Sequence, residues 1–153
     1  MKYLKKYKLF ESITKSDVIE KLGFDPELIL DLFVPLQDIG IDIRYIGYTR
    51  TIEKDLELYE DRYIFQYDHG VFKWEEEMPS GFEYVDSNFS WDDKLPNKFG
   101  YIEFAIIVEK SSNEEYKELI EELITKLKSI FSDVSHEYWK DEVIYFKNYK
   151  NKR

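Results

Sequence analysis

Cysteine is absent from this 153-residue chain, and histidine occurs at two positions, His69 and His136. The absence of cysteine excludes disulfide scaffolds, thiolate zinc sites and cysteine nucleophiles. The two histidines do not have the spacing of zinc ligands on a helix, and the six glycines are too scattered for a phosphate-binding loop. Apolar runs stay well below the roughly 18 residues of a membrane span. We therefore expect no cofactor and no membrane insertion.

Acidic and aromatic residues are abundant instead, and they concentrate in one stretch. Between Glu53 and Asp93 there are thirteen Asp or Glu and three Lys or Arg, an excess of ten that equals the whole formal net charge of −10. Ten aromatic residues lie in the same stretch. Such a surface repels nucleic acid phosphates and is complementary to a basic protein surface. We therefore expect a basic protein partner and no direct contact with nucleic acid.

The composition indicates one folded domain over residues 1–153. Hydrophobic residues make up 43% of the chain and aromatic residues 18%, which is enough for a packed core. The basic ends, residues 1–12 and 148–153, are expected to fray. Because the basic start is not followed by the apolar segment of a secretory signal, we expect a cytoplasmic protein.

Three helices are predicted from the spacing of apolar residues and from helix-end signals. In the longest, over 113–132, apolar residues recur every three or four positions, and Ser112 with Glu115 has the form of a capping box. Two shorter helices, over 16–22 and 25–40, begin and end at residues typical of helix termini.

Alternating apolar and polar residues predict about five strands, at 41–52, 63–67, 71–74, 101–108 and 143–146. The alternation changes near Gly47, which indicates a bulge. Residues 68–70 are expected to form a three-residue hairpin turn, and residues 75–99, which lack periodicity, a long acidic and aromatic loop. These elements predict a single α+β domain, with a mostly antiparallel or mixed sheet of about five strands and two to three helices packed on one face.

Few side chains are candidates for catalysis. His69 lies beside Asp68 in the predicted hairpin turn, where Asp-x-Gly is ordinary turn chemistry. His136 follows the longest helix, where an imidazole can hydrogen-bond to the last carbonyl groups. Three carboxylates of the long loop could supply oxygen ligands to Mg²⁺ or Ca²⁺ in a metal-dependent enzyme: Asp86, Asp92 and Asp93. No catalytic residue and no metal ligand is assigned on this basis.

The acidic, aromatic stretch is the predicted binding site. Its aromatic rings would be the desolvated anchors of an interface, and its carboxylates would steer and select a basic protein partner. The residues expected to contact that partner are Trp74, Glu75, Glu76, Glu77, Phe82, Tyr84, Trp91, Asp92 and Asp93. One version of this function is charge mimicry, in which the carboxylates block a host nucleic-acid-binding protein. The alternatives are a structural subunit or homo-oligomer, and the metal-dependent carboxylate enzyme.

Two short segments carry a resemblance to known proteins. The chain opens with Lys2-Tyr3-Leu4-Lys5-Lys6-Tyr7-Lys8-Leu9-Phe10-Glu11-Ser12 and later passes from helix to strand at Leu36-Gln37-Asp38-Ile39-Gly40-Ile41-Asp42-Ile43. The opening resembles the starts of many small uncharacterised proteins of large tailed bacteriophages, and the second segment is similar to steps found in such proteins. The resemblance implies a phage-encoded protein in the host cytoplasm or the virion, and it assigns no active site.

Overall fold

A single β-sheet forms the centre of the molecule in a computed structural model, which describes residues 19–20, 22–75, 83–86, 89–138 and 140–150. Helices pack on one side of the sheet, so the predicted α+β class is confirmed. The described residues form seven strands: β1 (Ile43–Glu53), β2 (Leu58–Asp68), β3 (Val71–Trp74), β4 (Glu83–Tyr84), β5 (Lys98–Val108), β6 (Phe131–Tyr138) and β7 (Glu142–Tyr149). The helical elements are a 3-10 helix (Pro26–Phe33), α1 (Val34–Asp38) and α2 (Glu114–Ile130).

The strands follow the order β3-β2-β1-β5-β7-β6, and every neighbouring pair in this order is antiparallel. The short strand β4 pairs in parallel with the beginning of β5. Strand β5 therefore lies in the middle of the sheet, which explains why its sequence is almost continuously apolar. Helix α2 connects β5 to β6, and β7 lies between these two strands.

Helix α2 differs from the prediction at both ends. Its N-cap is Asn113, whose side-chain oxygen accepts a hydrogen bond from the Glu115 N–H at 2.9 Å, and not Ser112. The helix ends at Ile130, because Phe131 is already extended with φ −118° and ψ 143°. The prediction that His136 caps the helix is therefore wrong, since this residue lies within β6.

The predicted helix over 25–40 forms as a 3-10 helix that continues into α1. The Asp25 carboxylate accepts a hydrogen bond from the Glu27 N–H at 3.0 Å, and Pro26 follows the cap, as its fixed φ favours. Of the predicted helix over 16–22, the structure describes residues 19, 20 and 22, which are helical. The Gly23 N–H donates to the Ile19 carbonyl at 2.9 Å.

The main core lies between the sheet and the helices. Large side chains from five strands pack there against the buried sides of the 3-10 helix, α1 and α2. Burial of each such side chain contributes about 1.5–3 kcal/mol to the stability of the fold. Fully buried examples are Phe33, Leu36, Tyr45, Phe65, Leu127, Ile144 and Phe146. The rings of Phe104 and Phe146, opposite each other on β5 and β7, stack with centroids 5.2 Å apart. This packing fixes which face of each strand is turned away from the helices.

The other face of the sheet, called the open face below, consists of the side chains that alternate with the core residues. No helix among the described residues packs on it. The open face includes Ile46, Tyr48, Arg50, Ile52, Asp61, Tyr63, Phe99, Tyr101, Glu103, Ala105, Ile107, Asp133, Ser135, Glu137, Val143, Tyr145 and Lys147.

The predicted bulge near Gly47 is confirmed, and the extra residue lies in β2. Gly47 pairs with Phe65 and Tyr48 with Tyr63, which leaves Ile64 without a partner in β1. The pairing of β1 with β5 is unbroken, so β1 itself contains no extra residue. The change in alternation along β1 arises because both faces of this strand carry apolar side chains. The bulge turns both Ile64 and Phe65 into the core, where they are 2% and 0% exposed.

Two further predictions differ from the structure in the acidic stretch. The hairpin turn has two residues, His69 and Gly70, with φ of 50° and 76°, because β2 extends to Asp68 and β3 begins at Val71. Positive φ at both positions matches the twist of the paired strands. The predicted long loop over 75–99 is interrupted by β4, and β5 begins at Lys98.

None of the helices in the described part of the chain is long and apolar enough to cross a membrane.

Candidate functional site

A groove of about 740 Å³ runs across the open face of the sheet. Strands β1, β2, β5, β6 and β7 all contribute to its walls. Its lining combines tyrosine rings with carboxylates, among them Tyr48, Tyr63, Tyr145, Asp61, Glu103 and Glu137. A concave surface of this composition provides apolar contact area and hydrogen-bonding groups together, as binding sites do.

Glu103 is the centre of a hydrogen-bonded group in the groove. The register of β1 and β5 places it opposite Tyr48, whose hydroxyl donates to Glu103 Oε1. Lys147 Nζ lies 3.8 Å from Glu103 Oε2. Burial, followed by the hydrogen bond to Glu103, raises the pKa of Tyr48 well above its usual value. The phenol therefore stays protonated and serves as a hydrogen-bond donor, not as a base.

Arg50 and Asp61 form a second polar pair across β1 and β2. Arg50 Nε and one terminal nitrogen donate to the two carboxylate oxygens of Asp61 at 2.9 and 3.0 Å. This fork geometry is the strongest arrangement of an arginine with a carboxylate. The hydrogen bond to Asp61 is the main reason why the pKa of Arg50 is raised. The pair holds both charges in fixed positions at the edge of the groove.

Cations also lie against the tyrosine rings of the open face. The Arg44 guanidinium carbon is 6.0 Å from the Tyr63 ring centroid, and Lys147 Nζ is 5.4 Å from that of Tyr101. The pKa of Tyr145 is raised by burial and by the nearby charges of Glu137 and Glu103. Two carboxylates of the groove, Asp61 and Glu103, are thus each paired with a cation.

One end of the open face is covered by the segment between β4 and β5. Ile52, Phe99 and Tyr101 form a small buried cluster there, with Val85, Phe89 and Leu95 packed on it. Lys54 Nζ donates to the carbonyl oxygens of Asp92 and Leu95 at 3.2 and 2.8 Å. These bonds join the β1–β2 turn to the covering segment.

The predicted contact residues are divided between the two faces of the sheet. Trp91 lies at the covered end of the open face, where its ring centroid is 5.5 Å from that of Phe99 and its surface is 59% exposed. Asp92 and Asp93, next to it, are exposed. Trp74 lies on the helix-covered face, with its ring 5.6 Å from that of Phe65.

The remaining predicted residues are spread further. Tyr84 packs against the main core and makes a hydrogen bond with the Thr49 side chain. Burial is the main reason why the pKa of Tyr84 is raised to about 12. Glu75 is exposed at the end of β3. Three predicted residues, Glu76, Glu77 and Phe82, lie outside the described residues. Of the predicted residues that the structure describes, Trp91, Asp92 and Asp93 lie together.

Sequence reasoning did not single out the residues that line the groove. Tyr48 and Glu103 are 55 positions apart in the chain, and only the strand register brings them together. One sequence signal was present, because Glu103 is the sole charged residue between Tyr101 and Val108. A charge within an apolar central strand indicates a specific partner on a neighbouring strand.

A separate cluster of titratable groups is buried beneath the start of α2. The Tyr116 hydroxyl donates to Glu142 Oε2, and His136 Nε2 lies 3.6 Å from Glu142 Oε1. Glu142 is only 6% exposed. Burial raises the pKa of Glu142, an effect opposed by the charge of Lys110, and burial lowers the pKa of His136.

These two shifts predict opposite effects of pH on stability. The pKa of His136 is lowered, so the unfolded chain takes up the proton first and stability falls as pH decreases below the usual value of 6.5. The pKa of Glu142 is raised, so stability falls as pH increases above the usual value of 4.5. We expect His136→Gln to flatten the acid side of a plot of urea midpoint against pH, and Glu142→Gln to remove the decline at higher pH. Profiles parallel to that of the wild type would contradict both assignments.

Asp42, Asp68 and His69 form a cluster in which one ligand atom from each lies within 4.8 Å of the others. Asp42 and His69 are exposed, and Asp68 is half-buried. Among the described residues no such cluster includes Asp86, Asp92 or Asp93, the carboxylates considered for a metal-dependent enzyme.

No family model matches the chain, and neither the curated proteins nor the solved structures contain a significant match.

Proposed function

We propose that the protein is a non-enzymatic binding protein whose open face docks a basic protein. The groove supports this proposal because its lining carries four carboxylates, Asp61, Glu103, Glu137 and Asp141, against Arg50 and Lys140, and an excess of carboxylates remains when Lys147, which pairs with Glu103, is counted. A partner with basic side chains complements that excess. The groove is the single observation on which the proposal rests.

Exposed aromatic side chains support a protein partner. Tyr63 in the groove is 43% exposed, and Tyr59 and Trp91 towards the covered end of the sheet are 65% and 59% exposed. Tyrosine and tryptophan supply large contact areas with few rotatable bonds, so they are the usual anchors of protein interfaces. The acidic residues around them, including Asp92 and Asp93, would accelerate encounter with a positively charged surface.

The setting of this function is also part of the proposal. A phage-encoded protein in the host cytoplasm would meet host proteins that bind nucleic acid through basic surfaces. Docking to such a surface would block it by charge mimicry, and DNA would then compete for the partner.

Capture of partners from a bacterial lysate tests the proposal when it is combined with matched variants. Tyr63→Ala and Asp141→Lys alter the groove, and we expect each to reduce the recovered partner about tenfold or more. The matched controls are Leu28→Ala, at an exposed position of the 3-10 helix, and Glu118→Lys, on the exposed side of α2. Both controls should recover as much partner as the wild type.

Washing at raised salt concentration provides a second readout of the same experiment. Because exposed charges are screened over about 8–10 Å near physiological ionic strength, a partner held by carboxylates should be lost as salt increases. A partner that survives high salt and is recovered equally by all four variants would contradict docking on the open face.

A further inference from the structure

The outer edge of β6 is a second binding feature next to the groove. Strand β6 is the last in the sheet order, and seven of its eight residues pair with β7 on one side. On the other side it pairs with no strand among the described residues. The N–H and C=O groups of every second residue along this edge are therefore directed away from the sheet, where they can pair with an added strand.

The charges of β6 discriminate between strands that could pair with it. Asp133, Ser135 and Glu137 alternate along its open-face side, opposite Lys147, Tyr145 and Val143 of β7. Residues 131–138 contain these two carboxylates and no lysine or arginine. A second copy of the chain paired antiparallel through Ser135 would place Asp133 opposite Glu137, and like charges in that position are destabilising. A strand with basic side chains at the same positions is attracted instead.

The edge is continuous with the docking groove. Ser135 and Glu137 belong to the wall of the groove, and Asp133 and Ser135 line a smaller depression beside it with Tyr145 and Lys147. From this continuity and charge we infer that the partner's docking segment is an extended basic peptide, which adds to the outer edge of β6 as a further strand. The inference rests on the docking function proposed above and specifies the form of the partner.

Strand addition fixes the spacing of the partner's basic residues. Side chains two positions apart share a face of a strand, so residues opposite Asp133 and Glu137 are four positions apart. The residue between them on that face is opposite Ser135, which carries no charge, so we choose a small polar side chain for that position. The recognised segment is therefore two basic residues four positions apart with a small residue midway.

Synthetic peptides of nine residues test this inference. The parent peptide carries Lys at positions 3 and 7 and Ser at position 5. Two further versions have the same sequence and are methylated on backbone nitrogens, one at the odd residues and the other at the even residues. In an added strand only one of these two sets donates to β6. We expect one methylated version to bind about tenfold or more weakly than the parent and the other to bind within about twofold. Fluorescence anisotropy of labelled peptides measures all three affinities.

Charge reversal on the protein provides the matched control. The variant with Asp133→Lys and Glu137→Lys should lose the parent peptide, while the variant with Glu118→Lys and Glu122→Lys, on the exposed side of α2, should retain it. Equal binding of the two methylated versions would overturn strand addition. If capture of the protein partner still depended on Tyr63 and Asp141 in that case, docking on the open face would stand and only strand addition would be wrong. Light scattering that shows a dimer of the wild type, strengthened by Asp133→Lys because the lysine then lies opposite Glu137 of the second copy, would replace the peptide by a second copy.

Discussion

Replacing Gly47 by alanine is expected to lower the free energy of unfolding by about 3 kcal/mol, at the upper end of the range for overpacked cores. A Cβ atom at this position would lie 2.2 Å from Cε1 of Phe65 and less than 3 Å from two more atoms of the ring. Elsewhere in a strand, replacing glycine by alanine stabilises by about 0.5–1 kcal/mol, because the unfolded chain loses freedom. The clash with Phe65 outweighs this gain, so Gly47→Ala should destabilise the protein.

The Phe65 ring cannot move aside, because other rings surround it. Its centroid lies 4.8 Å from that of Tyr45 and 4.9 Å from that of Phe72, and Trp74 and Phe104 are within 6.0 Å. Urea unfolding of Gly47→Ala measures the loss. Phe65→Leu in the Gly47→Ala background is the control, since a smaller side chain should recover part of the stability and give a favourable coupling energy. If the free energy of unfolding of Gly47→Ala lay within about 0.5 kcal/mol of the wild-type value, the contact with Phe65 would not restrict the residue at position 47.

Tyr45→Phe is expected to raise the free energy of unfolding by about 1 kcal/mol or more. Tyr45 is fully buried between the sheet and the 3-10 helix, and its hydroxyl has no hydrogen-bond partner among the described residues. Burial is also the main reason why its pKa is raised well above the usual value. Removing the hydroxyl leaves the packing of the ring intact and removes the free-energy cost of burying an unpaired polar group.

Tyr67 provides a matched comparison, because it lies opposite Tyr45 on β2 and is also buried. Its hydroxyl accepts a hydrogen bond from Gln37 Nε2 at 2.7 Å. Tyr67→Phe removes that bond and should lower stability by about 1 kcal/mol. Thermal and urea unfolding of the two variants should therefore shift in opposite directions. A loss of stability in both would mean that the Tyr45 hydroxyl is paired in solution.

The sequence predicts those parts of the fold that local signals specify. The apolar stripe of α2, the Asp25 cap and the Gly70 hairpin all involve residues within a few positions of one another, and each element is present in the structure. Strand β6 was missed because it begins at Phe131, directly after the helix, where the apolar residue also continues the helical stripe. Strand β4 has only two residues, too few for any pattern.

The candidate site depended on long-range pairing, which composition does not reveal. Trp74 and Trp91 both belong to the acidic stretch, yet Trp74 alternates with Lys73 towards the core and Trp91 packs over Phe99 on the opposite face. The groove residues Tyr48, Glu103 and Tyr145 come from three strands that meet only in the folded sheet. Charge and aromatic content thus support the kind of partner that we propose, and the surface that we propose for it depends on the register of the strands.

The most direct test of docking on the open face is the affinity of the captured partner for Tyr63→Ala and Leu28→Ala, measured side by side. Both residues are exposed, 43% and 67% respectively, but Tyr63 lines the groove and Leu28 lies on the 3-10 helix. The proposal predicts about tenfold or more weaker binding for Tyr63→Ala and unchanged binding for Leu28→Ala. Unchanged binding for Tyr63→Ala, or an equal loss in both variants, would contradict it.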